Sequence, residues 1–167
     1  MSSATPESEA KEIELKLVFD PEHAAALCAH PLFSAVDGAP SGPRVLESKK
    51  RELVSVYYDT PDDDLRKAGV FLRVRSTGAG YVQTIKTARA ESEFLERREW
   101  ECVLPSNAFD LSAAKGTALA PLLSDSVLAA LGPRFETRFV RQTHLIDDEG
   151  TLVEAAVDQG DIVAGDK

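Results

Sequence analysis

The sequence predicts an α+β fold in which antiparallel strands close into a β-barrel of the eight-stranded type, flanked by short helices. Three observations predict it. About seven segments read as strands between turn signals. Two or three helix-prone pieces interrupt them. Charged residues recur on one side of strand after strand, at the period of two that a pleated chain imposes. With 167 residues, 43% of them hydrophobic, the chain can bury one core, so a single domain is expected. Residues 1–10 read as a flexible N-terminus and 11–167 as the folded unit.

The elements follow in order. Lys11 to Val18 alternates Ile13, Leu15 and Leu17 against Glu12, Glu14 and Lys16, which predicts a strand. Asp20-Pro21-Glu22 supplies an N-cap, a first-turn proline and an early acid for a short helix that ends before Pro31. The Gly, Pro and Ser residues of 37–44 predict a loop, and Glu52 to Asp59 a strand. Thr60-Pro61, three aspartates and Gly69 predict one helical turn. Val70 to Arg75 and Tyr81 to Lys86 flank Gly78-Ala79-Gly80, a hairpin signal. Glu96 to Leu104 alternates again and Pro105 ends it. Phe109 to Gly132 is helix-prone, and Ser124 to Leu131 ends at Gly132-Pro133, a helix stop. Phe135 to Ile146 and Leu152 to Asp158 read as strands around the turn cluster Asp147 to Gly150, with a second turn beginning at Gly160.

Composition excludes several classes. A formal charge of −9 and a pI near 4.8 argue against a general nucleic-acid or membrane-surface binder, so an anionic ligand needs a local basic pocket. Cys28 and Cys102 have no metal-ligand or disulfide spacing, which fits a reduced cytoplasmic setting. No apolar run approaches the length of a membrane span, and the N-terminus has no signal-peptide pattern.

The charged positions are Glu12/Glu14/Lys16, Arg73/Arg75, Thr84/Lys86, Arg97/Glu99/Glu101 and Glu154/Asp158. Two readings stand: ordinary solvent-facing sides of half-buried strands, or one shared polar lumen with the apolar sides packed under helices. In the second, Ile13, Leu15, Leu17, Leu72, Val74, Trp100, Cys102 and Leu104 face away from the lumen. Adding Arg141 gives six cations (Lys16, Arg73, Arg75, Lys86, Arg97, Arg141) and six acids (Glu12, Glu14, Glu99, Glu101, Glu154, Asp158). Carboxylates without His or Cys favour hard cations, Mg²⁺ or Mn²⁺, that share their shell with water and phosphate oxygens. Two divalent ions would leave roughly +4, which suits a triphosphate. His23, His30 and His144 have no metal-ligand spacing and read as helix or strand residues. Trp100 reads as packing, and Lys49-Lys50-Arg51 as a solvated basic run. Tyr57 and Asp59 share a strand face and serve either the lumen or a turn.

The first strand, Glu12-Ile13-Glu14-Leu15-Lys16, resembles the ExExK signature of the CYTH family, the triphosphate tunnel metalloenzymes. Further matches follow in order: Tyr57-Tyr58-Asp59-Thr60-Pro61, Leu65 with Gly69, Leu72-Arg73-Val74-Arg75, Gln83-Thr84-Ile85-Lys86, Arg97-x-Glu99-x-Glu101, Arg141, and Glu154 through Asp158 to Gly160. The runs at 83–87 and 157–160 look most like the bacterial inorganic triphosphatase branch. The resemblance implies a tunnel-shaped barrel and metal-dependent hydrolysis of tripolyphosphate to pyrophosphate and phosphate. It implies metal binding by Glu12, Glu14, Glu99 and Glu101, with Glu154 and Asp158 as further ligands or as residues that orient the attacking water. Phosphate oxygens would be held by Lys16, Arg73, Arg75, Lys86, Arg97 and Arg141. Lys16 can pair with Glu14, neutralise a phosphate or position water. Family members continue past the Asp-x-Gly turn into another acidic strand, whereas this chain stops at Lys167, so the last strand is expected to be missing. A helical CHAD domain often follows in that branch. Three other functions stay open: cyclisation of ATP as in class IV adenylate cyclases, hydrolysis of thiamine triphosphate, and polyphosphate binding without catalysis.

Overall fold

The computed structural model describes residues 15–33, 42–88 and 98–164. Its strands are β1 (Arg44–Asp59), β2 (Val70–Ser76), β3 (Tyr81–Thr87), β4 (Glu99–Leu104), β5 (Gly132–Asp148) and β6 (Thr151–Ala164). Three short helices accompany them: α1 (Ala24–Cys28), α2 (Asp64–Lys67) and α3 (Asp125–Ala130). The strands form one antiparallel sheet in the order β4-β3-β2-β1-β5-β6. Among the described residues the sheet ends at β4 and β6 and does not close. No helix among them is long and apolar enough to cross a membrane.

Local chemistry sets the connections. Between β5 and β6 the chain reverses in two residues, Glu149 and Gly150, both at positive φ (52° and 90°), the turn whose twist matches that of paired strands. The Asp147 carboxylate accepts the Gly150 N–H at 2.8 Å and fixes that turn. Gly78 at φ 76° and the Thr77 N–H donated to the Gly80 carbonyl (3.0 Å) close the β2–β3 hairpin. The expected N-cap forms, with Asp20 accepting the Glu22 N–H; the Ser124 hydroxyl likewise accepts the Val127 N–H at the start of α3.

One face of the sheet is apolar. Val70 and Leu72 of β2 and Ile85 of β3 pack with Leu65 of α2 and with Ala114 and Leu119 of the β4–β5 connection. Tyr58, Trp100, Phe109 and Val127 surround this cluster, and Val74 and Leu104 are buried on the same side. Gln83 pins the connection to the sheet by donating to the Asp110 carbonyl (3.0 Å) and accepting the Asp110 N–H (2.7 Å). The expectation that Leu72, Val74, Trp100 and Leu104 face away from the charges therefore holds.

Four expectations change. Residues 15–18 form no strand, and Leu15 and Leu17 are 80% and 78% exposed, because no described strand pairs with them to offer an apolar surface. β1 begins at Arg44 rather than Glu52: its first half is polar, and pairing with β5, not alternation, makes it a strand. The helix-prone residues 109–131 hold α3 within the expected Ser124 to Leu131, but only two 3₁₀ turns before it, interrupted by Gly116 at φ 79° and by Pro121. β6 runs on through Gly160 to Ala164. Gly160 is thus a strand residue, and its lack of a Cβ admits the Arg138 carbonyl and the Phe139 ring of β5.

Candidate functional site

The face opposite the apolar core carries the charges. The Ser55 hydroxyl accepts a hydrogen bond from Arg75 Nε (2.9 Å), so alternate residues of β1 and β2 point to this side together. Register continues it: Tyr57 lies opposite Arg73, Arg73 opposite Thr84, and Thr84 opposite Glu101. Phe71, Lys86 and Glu99 form the next row, and Arg141 and Asp158 lie across the β5–β6 pair.

This face holds a cavity of about 200 Å³ lined by Lys16, Tyr57, Phe71, Arg73, Thr84 and Lys86. Among the described residues that line it, three of six are cations and none is an acid, inside a protein whose net charge is −9. Arg73 Nε is buried and finds no hydrogen-bond partner among the described residues. A buried charged donor left unmatched is costly, and a ligand oxygen would satisfy it. Arg75 sits beside Arg73 and Arg141. Its own burial, then the Arg73 charge, lower its pKa; Arg141 adds to this, against opposing pulls from Tyr57 and Asp158. Clustered guanidinium groups of this kind repel one another until an anion enters.

Acids flank the cavity on β4. Lys86 Nζ meets Glu99 Oε2 at 2.6 Å, and the Thr84 hydroxyl donates to Glu101 Oε1 at 3.0 Å. Burial pushes the Glu99 carboxyl up. The hydrogen bond and charge of Lys86, the Arg73 charge and the neighbouring Glu101 outweigh it, and the carboxyl lies below its usual range. Glu99 and Glu101 thus offer two hard oxygen ligands on one strand face, a set that suits a divalent cation completing its shell with water and phosphate. Among the described residues no three His, Cys, Asp or Glu side chains converge on a common point.

The structure brings together Lys16, Arg73, Lys86, Glu99 and Glu101, with Arg75 and Arg141 adjoining. Asp158 holds Arg141 through two bonds of 2.7 Å, which occupy both of its carboxylate oxygens. Glu154 is exposed, opposite Leu145 towards the hairpin end of β6 and away from the cavity. Glu12, Glu14 and Arg97 lie outside the described residues. Asp59 takes the turn role: its carboxylate accepts the N–H groups of Thr60, Leu65 and Arg66 at 2.7, 2.9 and 3.0 Å. His144 is buried between Ser48 and Gln142 and stacks on Phe33. Sequence reasoning missed Phe71 and Ser55. Both share the parity of recognised charges, Phe71 with Arg73 and Ser55 with Tyr57, and that parity was the available signal.

Comparison with known proteins adds the family. The profile of the CYTH domain matches residues 10–167. The inorganic triphosphatase of Haemophilus influenzae is 32% identical over 162 residues, covering 93% of this chain and 42% of the relative, so the chain spans less than half of that protein. A solved structure from Hippeastrum, named as an adenylyl cyclase and described as having a dominant triphosphatase activity, superposes with a TM-score of 0.50. It is 17% identical over 84% of this chain and 69% of its own, a likeness of fold. With the domain profile spanning nearly its whole length, the chain belongs to the CYTH family.

Proposed function

We propose that this protein hydrolyses inorganic triphosphate to pyrophosphate and phosphate with the help of a divalent cation, Mg²⁺ or Mn²⁺. The observation that carries the reading is the cavity itself: Lys16, Arg73 and Lys86 line a space of about 200 Å³, and one buried guanidinium nitrogen among them finds no partner among the described residues. Phosphoryl transfer asks for positioning and charge neutralisation rather than for a covalent nucleophile. Arg73 and Arg75 present planar donor forks to non-bridging oxygens, and Lys86 a point charge. Arg141, steadied by Asp158, extends the same cationic surface. Glu99 and Glu101 would hold the cation, together with Glu12 and Glu14 of the ExExK signature. When bound, the metal neutralises phosphate charge and lowers the pKa of a coordinated water. Glu99 suits this role because its carboxyl stays ionised under acidic conditions that protonate an ordinary glutamate. Residues 11–167 would form one tunnel domain, and eight-stranded closure belongs to the same proposal.

The test is phosphate release from tripolyphosphate with Mg²⁺ or Mn²⁺, against a chelator control. We expect metal-dependent release that Arg73→Ala reduces at least about tenfold, the weight of a charge-assisted hydrogen bond. Binding without release would point to a polyphosphate-binding module. Cyclic AMP formed from ATP would point to cyclisation.

A further inference from the structure

Beyond the cavity, past the buried Ser55 and Leu53, the same face of β1 carries a further cation. Arg51 lies directly opposite Arg141 in the β1–β5 register, so the two side chains leave the sheet on the same side. That side is the one with Leu53, Ser55 and Tyr57, because β1 shows no register shift between Arg51 and Tyr57. Like charges directly opposite each other destabilise a strand pair unless something compensates them. Asp158 compensates only one: both of its oxygens are held by Arg141. The described residues give Arg51 no carboxylate partner. From the Tyr57–Arg73 row to the Arg51–Arg141 row β1 advances six residues, about 20 Å of strand. That track is longer than three linked phosphates. Gly160, opposite Phe139, adds no side chain to the row between Arg51 and Ser55.

We infer that Arg51, with Arg141 beside it, forms a second anion subsite that binds the distal phosphates of linear polyphosphate chains longer than triphosphate. The inference rests on the proposed function, since the proximal phosphates would occupy the cavity at Arg73 and Lys86. Binding at the subsite involves no bond making: the guanidinium of Arg51 donates to non-bridging oxygens that lie beyond the third phosphorus.

The experiment is calorimetric titration of the whole chain, in chelator and at fixed ionic strength, with tripolyphosphate and with a linear polyphosphate of about ten units, each at equal molar concentration of chains. Wild type is expected to bind the longer chain about tenfold more tightly than tripolyphosphate, as one or two charge-assisted hydrogen bonds would provide. Arg51→Ala should lose that gain and keep tripolyphosphate affinity; Arg51→Lys should keep part of it, since the charge stays and the fork is lost. The inference is overturned if wild type shows no preference for the longer chain, if Arg51→Ala retains the preference, or if Arg51→Ala weakens both ligands equally. Failure of wild type to bind tripolyphosphate both in chelator and with Mg²⁺ present would instead sink the triphosphatase reading of the cavity. Arg51 is exposed, and matching unfolding midpoints of the variants establish that they are folded.

Discussion

At the scale of single residues, the site is a set of charges whose partners determine their state. Burial alone would raise the Glu99 carboxyl, and the Lys86 ammonium at 2.6 Å, with Arg73 nearby, more than reverses it. A carboxyl whose folded pKa lies below its unfolded value contributes stability above the unfolded pKa, and that contribution disappears as pH falls through the folded one. Glu99→Gln should therefore be less stable than wild type at neutral pH, and the gap should close below about pH 4, the ordinary glutamate range. Urea denaturation at a series of pH values checks this; a gap that persists unchanged at low pH would refute the assignment. A different constraint acts at Gly160, where a methyl group would meet the Arg138 carbonyl and the Phe139 ring. Gly160→Ala should lose about 1–3 kcal/mol in the same assay, the usual cost of overpacking. The charged residues at Arg73, Arg75, Lys86, Glu99 and Glu101 were legible because each strand repeats the same parity. The constraint on Gly160 was not, since it comes from β5, which approaches only after pairing, and in sequence the residue reads as a turn.

At the scale of elements, short pieces are held by single polar side chains. Asp59 accepts three backbone N–H groups, two of them from α2, so a one-turn helix keeps its place at the edge of the core. Asp59→Ala should cost about 2–3 kcal/mol, because it strands buried donors, and Asp59→Asn less, because one acceptor oxygen remains. Thermal unfolding of the two variants checks the order; equal losses would argue that the charge, not the acceptor count, matters. The hairpins, the first cap and the end of α3 were readable because their signals are local: Gly78-Ala79-Gly80, Asp147 to Gly150, Asp20-Pro21 and Gly132-Pro133. The first half of β1 was not readable. Glu47 to Glu52 is an unbroken polar run, and it becomes a strand because β5 provides a ladder of partners from Leu145 to Val140. Residues 109–131 carry helix-forming Ala and Leu, yet Gly116 and Pro121 break the hydrogen-bond ladder and the Gln83 clamp at Asp110 holds the segment against the sheet.

At the scale of the whole molecule, one sheet separates two environments: a hydrophobic side under the helical pieces and a charged side around the cavity. The apolar side drives folding, whereas the cluster of Arg73, Arg75 and Arg141 works against it: burial first, and then repulsion from Arg73 and Arg141, lowers the pKa of Arg75. A binding site assembled this way is stabilised by its ligand. At a tripolyphosphate concentration about 100 times the Kd, linkage adds about 2.7 kcal/mol, which for a domain of this size raises the melting temperature by about 5–10 °C. Arg73→Ala removes one of the repelling charges together with a buried donor nitrogen that is unmatched among the described residues. The ligand-free variant should therefore melt no lower than wild type, while its shift on adding tripolyphosphate should fall to a small fraction of the wild-type shift. Differential scanning calorimetry with and without ligand separates the two effects. A variant that melts well below wild type without ligand would show Arg73 to be a structural ion-pair residue, and one that keeps the full ligand shift would place the phosphate elsewhere on the sheet.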